Sequence, residues 1–226
     1  NAVTPILFKA DYDPLTAFQS IGLFGTAPIV VITYPNSKYK SLKDIVDAGK
    51  AKPGEVMYGS SGNGSPLHLA GEMFTAQAKV NLTHVPYKGG SAHILDLIGG
   101  RLDVIFDTST NSTPLIKGGK VRPIAVSSKK RLPDFPDVPT FTEAGYPDFS
   151  VNGWYALYAP AKTPKPIVEK LSATLQKVLK QPEVIEKLRG VGVSPASGVA
   201  AEAEKYGLEE FAKYTKLIKD ATVKAD

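Results

Sequence analysis

A strand–loop–helix pattern occurs three times between residues 55 and 118, and this repetition indicates the fold class. Short apolar segments at 55–59, 82–85 and 102–106 read as strands. Each is followed by a loop of small polar residues and then by a helical segment. Strands that alternate with helices are typical of an α/β protein, so the pattern predicts a mostly parallel sheet flanked by helices.

The predicted helices begin with recognisable capping signals. Ser65 precedes Pro66, and Thr113 precedes Pro114, which is an N-cap followed by proline in the first turn. Ser91 is the predicted cap of the helix between them. A further helix is predicted to begin at Ser41, where Asp44 completes a capping-box pattern.

Ligands of parallel sheets bind at the carboxyl ends of the strands, next to the helix N-termini. Free backbone N–H groups there attract anions without help from Lys or Arg. The segment 59–65 has the highest density of small polar residues and glycines, which favours a binding loop rather than an ordinary turn. It lacks the Gly-Lys-Ser/Thr of a phosphate loop, the third glycine of a dinucleotide fingerprint and the Gly-x-Ser-x-Gly of a nucleophile elbow.

The other two loops carry further candidates. In the loop 85–91, binding by the backbone is expected. Tyr87 either faces a ligand or packs the loop, and Lys88 either supplies charge to the ligand or faces solvent. At the end of the third strand, Asp107 either accepts from a ligand or bonds neighbouring backbone N–H groups. Asn152 and Trp154 either pack in a core or line a cleft at a hinge.

Composition excludes several classes of protein. The 226 residues contain no cysteine, which excludes disulfide scaffolds and thiolate chemistry. No apolar run reaches the roughly 18 residues that a membrane-spanning helix needs. The net charge of +5 is spread along the chain, which disfavours nucleic acid as a partner. The histidines have no metal-ligand spacing, so neither a metal nor a cofactor is expected.

An enzyme remains an alternative at this point. A hydrolase or transferase would use Ser60 or Ser61 as nucleophile. Ser61 with His68 or His93 and with Asp107 supplies the residue types of a triad, although no spacing argues for one. A third reading is a ligand-sensing module of a longer regulatory chain.

The whole chain resembles one family in order along the sequence. Residues 53–72 (PGEVMYGSSGNGSPLHLAGE), 84–89 (HVPYKG), 100–107 (GRLDVIFD), 132–140 (LPDFPDVPT) and 143–145 (EAG) are similar to the Bug-type receptors of tripartite tricarboxylate transporters. Tyr12-Asp13-Pro14 and Trp154 with Ala159-Pro160 also match. Together these motifs are specific, although each one alone is weak.

The resemblance implies a two-lobed periplasmic binding protein of type II that is not an enzyme. Its lobes would close on a small carboxylate-bearing solute (a di- or tricarboxylate, an aromatic acid or an acidic amino acid) and deliver it to membrane transporter subunits. In that family, loop backbone, small polar groups and ordered water hold the carboxylate. The matching positions here are Ser60, Ser61, Gly62, Asn63, Ser65, Tyr87, Gly89, Gly90, Asp107 and Thr108.

The resemblance also implies a domain organisation. Residues 28–150 match a complete second lobe, and residues 1–27 with 151–226 match the remainder of the first lobe. Family members begin with a strand, a Gly-rich loop and a helix that have no counterpart in this sequence. The expectation is therefore a chain whose first lobe is incomplete at its front.

Overall fold

The computed structural model describes residues 12–13, 16–89 and 91–220, with the backbone alone for 217–220. The chain divides into two compact units at 27/28 and at 153/154. The central unit is residues 28–153. The terminal unit is formed by the described residues before 28 and by those from 154 onwards.

The central unit is a five-stranded sheet with four helices, in the order β3-β2-β4-β1-β5. Strands β2 and β3 are parallel, as are β2 and β4, which confirms the repeated strand–loop–helix units. Strand β1 runs antiparallel to both β4 and β5, so the sheet is mixed. Its elements are β1 (Phe18–Thr33, from residue 28), α1 (Leu42–Ala51), β2 (Met57–Ser60), α2 (Pro66–Ala78), β3 (Thr83–Pro86), α3 (Ala92–Ile98), β4 (Val104–Thr108), α4 (Ser109–Lys117) and β5 (Arg122–Val126).

Two of the predicted helix starts are present in full. Ser41 and Asp44 form the reciprocal capping box of α1. Ser65 accepts a hydrogen bond from the backbone N–H of His68, and Pro66 occupies the first turn of α2. Both caps satisfy backbone donors that a helix leaves without intrahelical partners.

The predicted start of α4 is wrong. The helix begins at Ser109, not after Thr113, and Pro114 lies inside it. The Asp107 carboxylate accepts from the Thr108 backbone and from the Asn111 side chain, which organises the chain one turn earlier than the proline does. Pro114 then removes a single helical N–H donor and is tolerated there at some cost.

The sheet of the central unit buries a different set of side chains on each face. Alternate residues of a strand point to opposite faces, so neighbouring positions join different layers. One layer is aliphatic and includes Val30, Ile32, Ile94, Leu97, Leu102 and Ile105. The other is aromatic and includes Tyr58, Phe74, Phe106, Phe141, Tyr146 and Phe149.

The terminal unit is built on the first part of β1. Strand β1 pairs there with β6 (Asn152–Pro160) and, antiparallel, with β7 (Ser194–Pro195). Its helices are α5 (Lys165–Val178), α6 (Pro182–Gly190) and α7 (Ala200–Asp220). A side chain at Gly22 would clash with the Gly198 carbonyl and with Leu175, so this glycine allows the layers to approach closely.

The apolar stripe of α5 is less buried than its spacing predicts. Helical spacing of Ile167, Leu171, Leu175, Val178 and Leu179 favours core packing. In the structure, however, Ile167 is 50% and Leu171 is 44% exposed. Leu175 lies near Gly22 and Leu179 is buried next to Gly198, so the stripe packs in the terminal unit at its C-terminal end and is more exposed at its N-terminal end.

No helix in the described ranges combines the length and the apolar character that a membrane crossing requires.

Gly71 provides a test of the packing between α2 and the sheet. A Cβ at Gly71 would lie 2.2 Å from the ring of Tyr58, which is fully buried and bonded through its hydroxyl to Glu72. We expect Gly71→Ala to lower the free energy of unfolding by about 1–3 kcal/mol, because the ring cannot move aside. Denaturant unfolding measures the change.

Gly190→Ala is the matched control. Gly190 also lies in a helix, but nothing is within 4 Å of an added Cβ. Its substitution should leave stability within about 0.5 kcal/mol of wild type or raise it slightly. Equal losses in both variants would contradict the packing described.

Candidate ligand-binding site

Three strands of the central unit end at one edge of the sheet. Ser60 is the register partner of Pro86, and Gly59 is the partner of Ile105. Because these strands are parallel, the segments that follow them leave from the same edge. We call residues 61–65 the first loop and residues 87–91 the second loop, whereas β4 leads directly into α4. Gly90 lies outside the described residues.

Glycine conformation shapes the first loop. Gly62 and Gly64 have φ of 128° and 69°, in the left-handed region where a side chain is disfavoured. The backbone N–H of Ser65 donates to the Gly62 carbonyl at 3.2 Å, which closes the loop on itself. Ser65 then caps α2, so the loop ends at the N-terminus of a 13-residue helix.

A stack of three rings supports the first loop. The ring of His84 lies between those of His68 and Tyr58, with centroid distances of 3.8 Å and 4.9 Å. His84 Nε2 is 2.7 Å from Ser60 Oγ, at the start of the loop. The backbone N–H of Gly64 donates to His68 Nδ1 at 3.0 Å, at its end. The two histidines therefore hold both ends of the loop.

Glu72 completes this cluster. Its Oε1 accepts from the hydroxyl of Tyr58 at 2.5 Å and lies 3.6 Å from His68 Nε2. The contact with His68, together with the Tyr58 hydrogen bond, lowers the pKa of Glu72, while burial raises the pKa of Tyr58. Since His68 Nδ1 accepts from Gly64, its proton belongs on Nε2, facing the Glu72 carboxylate.

The Ser60–His84 pair resembles a nucleophile with its base, but its surroundings differ. Ser60 is fully buried and has one proton for two acceptors, the Gly62 carbonyl and His84. With His84 protonated on Nε2, every contact is satisfied and the imidazole acts as a donor, not as a base. Burial lowers the pKa of His84 to about 4, which also makes it a poor base at neutral pH.

The second loop is tied to the first by its backbone. The N–H groups of Tyr87 and Gly89 donate to the carbonyls of Ser60 and Ser61. The hydroxyl of Tyr87 donates to Asp96, and burial with this hydrogen bond raises the Tyr87 pKa to about 12. This is the contact of a ring that packs the loop. Lys88 is exposed, and Gly89 has a φ of 76°.

Asp107 is fully buried at the end of β4. Its carboxylate accepts from the Thr108 backbone at 2.7 Å, from the Asn111 amide at 3.1 Å and from Ser112 at 3.4 Å. Burial raises the pKa of Asp107, against the effect of these donors. Such contacts are those of a residue that orders the first turn of α4, one of the two roles that the sequence left open.

The two residues nominated for a hinge have separate partners. In the central unit, Asn152 accepts from Ser127, whose Oγ also accepts from the backbone N–H of Ile29. In the terminal unit, Trp154 is half-buried and its ring lies 5.8 Å from that of Tyr206. Both lie in β6, the strand in which the chain passes from one unit to the other.

Sequence analysis missed the histidine cluster. His68 and Glu72, four residues apart on α2, belong to a half-buried network with Tyr58 and His84. The signal was present: Tyr58 and His84 are register partners, each two residues before the strand end. Aligning the parallel strands by their ends would have placed the two rings side by side. In the described part of the chain, no three His, Asp or Glu residues are arranged to hold a metal ion.

Comparison with known proteins identifies the family. The family model for the tripartite tricarboxylate transporter family receptor, TctC, matches residues 1–223. The chain therefore belongs to this family. It is 34% identical over 220 residues to a UPF0065 protein in the tcbD-tcbE intergenic region of Pseudomonas sp. strain P51, and 28% identical over 213 residues to BugT of Bordetella pertussis. These two matches span 97% and 94% of this chain, but only 64% and 65% of the length of the two relatives.

Solved structures of similar proteins confirm the fold. An R. palustris protein solved with adipate has a TM-score of 0.88 at 32% identity, and the periplasmic binding protein BugD has 0.85 at 32%. MatC from Rhodopseudomonas palustris with bound malate has 0.81 at 27%. These matches cover 96–100% of this chain and 75–76% of those chains.

The pKa of His84 is directly measurable. Because its native pKa of about 4 lies below the usual 6.5, the unfolded state binds a proton between these values that the native state does not. Protonation of His84 in the unfolded state therefore lowers the free energy of unfolding as the pH falls from about 6.5 toward 4, and this destabilisation is absent at higher pH. We expect the His84 Cε1–H resonance to stay unshifted from pH 8 down to about pH 5.5.

NMR titration checks this, with the resonance assigned from the His84→Gln spectrum. A midpoint for His84 near the ordinary histidine value of about 6.5 would contradict the buried, stacked environment.

Proposed function

We propose that this chain carries the carboxylate-binding site of a periplasmic receptor, which captures a small organic acid and delivers it to a membrane transporter. The observation that carries the proposal is the position of two helix N-termini. Helices α2 and α4 begin at the ends of β2 and β4, which are neighbouring parallel strands.

Such an arrangement attracts an anion for electrostatic reasons. Each helix N-terminus has backbone N–H groups without intrahelical partners and a partial positive charge. Two of them at one edge of a sheet form a site for a carboxylate without a basic side chain. Of the two cations nearest the second loop, Arg101 is paired with Asp96, and Lys88, in the loop itself, is exposed.

The residues divide into two proposed roles. The backbone and small side chains of Ser61, Gly62, Asn63, Ser65, Gly89 and Thr108 contact the ligand, with Gly90 included from the sequence. Ser60, Tyr87 and Asp107 hold the loops in place, because their polar atoms are engaged by His84, Asp96 and the first turn of α4 respectively. A preformed loop loses less entropy on binding.

Relatives support the class of ligand. Structures of similar proteins hold adipate and malate, which are both small dicarboxylates. We therefore expect a di- or tricarboxylate, an aromatic acid or an acidic amino acid. We also propose that the central unit is the second lobe of the receptor, that the terminal unit belongs to the first, and that Asn152 and Trp154 lie at the hinge.

A receptor accounts for the site better than catalysis does. A hydrolase would need Ser60 or Ser61 activated by a base, whereas Ser60 is buried and both of its acceptor contacts are satisfied only when His84 is the donor. An active-site serine reagent should therefore label neither serine. Labelling of either one would favour the enzyme.

Calorimetry tests the proposed function. We expect at least one of adipate, malate, citrate, benzoate and glutamate to bind this chain at neutral pH. Binding should weaken as salt rises, because it is electrostatic. Absence of binding to every acid of the panel would overturn the proposal.

Gly62 tests the role of the first loop. A Cβ at Gly62 would lie 3.1 Å from the Tyr87 carbonyl, and its φ of 128° disfavours any side chain. We expect Gly62→Ala to weaken acid binding by at least about 10-fold, since a loss near 1.4 kcal/mol corresponds to that factor. Gly145→Ala is the control, with φ of 93° and open space, outside the site. Equal binding by both variants would exclude the first loop.

A further inference from the structure

His93 is a buried polar side chain that the site described so far does not use. It lies in the first turn of α3 and is 2% exposed. Neither of its ring nitrogens has a hydrogen-bond partner among the residues that the structure describes. Leaving buried polar atoms unpaired costs free energy, so such atoms normally bind protein, water or a ligand.

The position of His93 connects it to all three strand ends. A Cβ at Gly59, in β2, would lie 3.4 Å from His93 Cβ. The ring of Tyr87, in the second loop, has its centroid 6.1 Å from that of His93. Asp107, at the end of β4, acts electrostatically on the imidazole. The ring therefore lies between the segments that form the proposed site.

The sheet geometry agrees with this position. Gly59 and Ile105 are register partners, and Asp107 lies two residues beyond Ile105, so all three share one face. The Ser60 and Tyr58 side chains belong to the opposite face, where His68 and His84 lie. His93 thus lies on the face of the sheet that the histidine cluster does not occupy, next to Gly59 and near Tyr87 and Asp107.

We propose that His93 is a ligand-binding residue, which donates a hydrogen bond from one ring nitrogen to the bound organic acid, directly or through one water. This inference rests on the proposed function and adds a specificity-determining side chain to a site otherwise made of backbone and small residues. A neutral imidazole suits the role because it has one donor and one acceptor. Burial lowers the pKa of His93, which favours the neutral imidazole.

Paired substitutions separate donation from packing. His93→Leu keeps a side chain of similar size without a donor, and His93→Gln keeps an N–H donor. We expect His93→Leu to weaken binding of the tightest acid of the panel by about 10- to 100-fold, as for a hydrogen bond to a charged group, and His93→Gln to restore most of the affinity. Leu95→Ala is the control on the same helix, since Leu95 is 64% exposed, and it should bind like wild type.

NMR of the ring supplies a readout that a purely structural role would not move. The ¹⁵N resonances of the His93 imidazole, assigned with His93→Gln, should shift when the acid is added to the wild-type protein. Equal affinity in wild type and His93→Leu, or unmoved ring resonances at saturation, would overturn the role of His93 while leaving the receptor function intact. Failure of wild type to bind any acid would overturn both.

Discussion

The parallel pairing of β2 with β3 and β4 is the interaction on which the rest of the site depends. Parallel strands end at the same edge, so three separate stretches of sequence meet there: residues 61–65, 87–89 and 107–112. A shift of one residue in this register would move Ser60 to the other face and separate it from His84. The apolar layers on both faces oppose such a shift, because each strand alternates between an aliphatic and an aromatic layer.

Polar groups beneath the loops give the edge its stability and its electrostatic character. Imidazoles and carboxylates bind the loops from below: His84 holds Ser60, His68 holds Gly64 and Asp107 holds Thr108. These bonds occupy the side chains that would otherwise be candidates for catalysis. The loops themselves consist mainly of glycines and small polar residues, and it is these that we propose to contact the carboxylate of a ligand. A side chain such as His93 is then a natural place for selectivity.

Much of this was predictable from local sequence, and the failures have physical causes. Caps at Ser41 and Ser65 were predicted because a cap involves residues three apart. The direction of β1 was not, since an apolar strand pattern reads the same in either direction. The start of α4 was predicted too late, at Pro114, because the Asp107 carboxylate orders the turn that precedes this proline. The stacking of His84 on His68 joins residues sixteen apart in sequence, and only the parallel register brings them together.

The most direct measurement of the central claim is a titration of the ¹⁵N-labelled protein with adipate or another bound acid, followed through backbone amide shifts. If the strand-end loops hold the carboxylate, the largest shifts will be at residues 61–65, at Gly89 and at Thr108 and Ser109. Amides of α5 and α6 will stay unmoved. Saturable shifts confined to residues away from these loops would contradict the account.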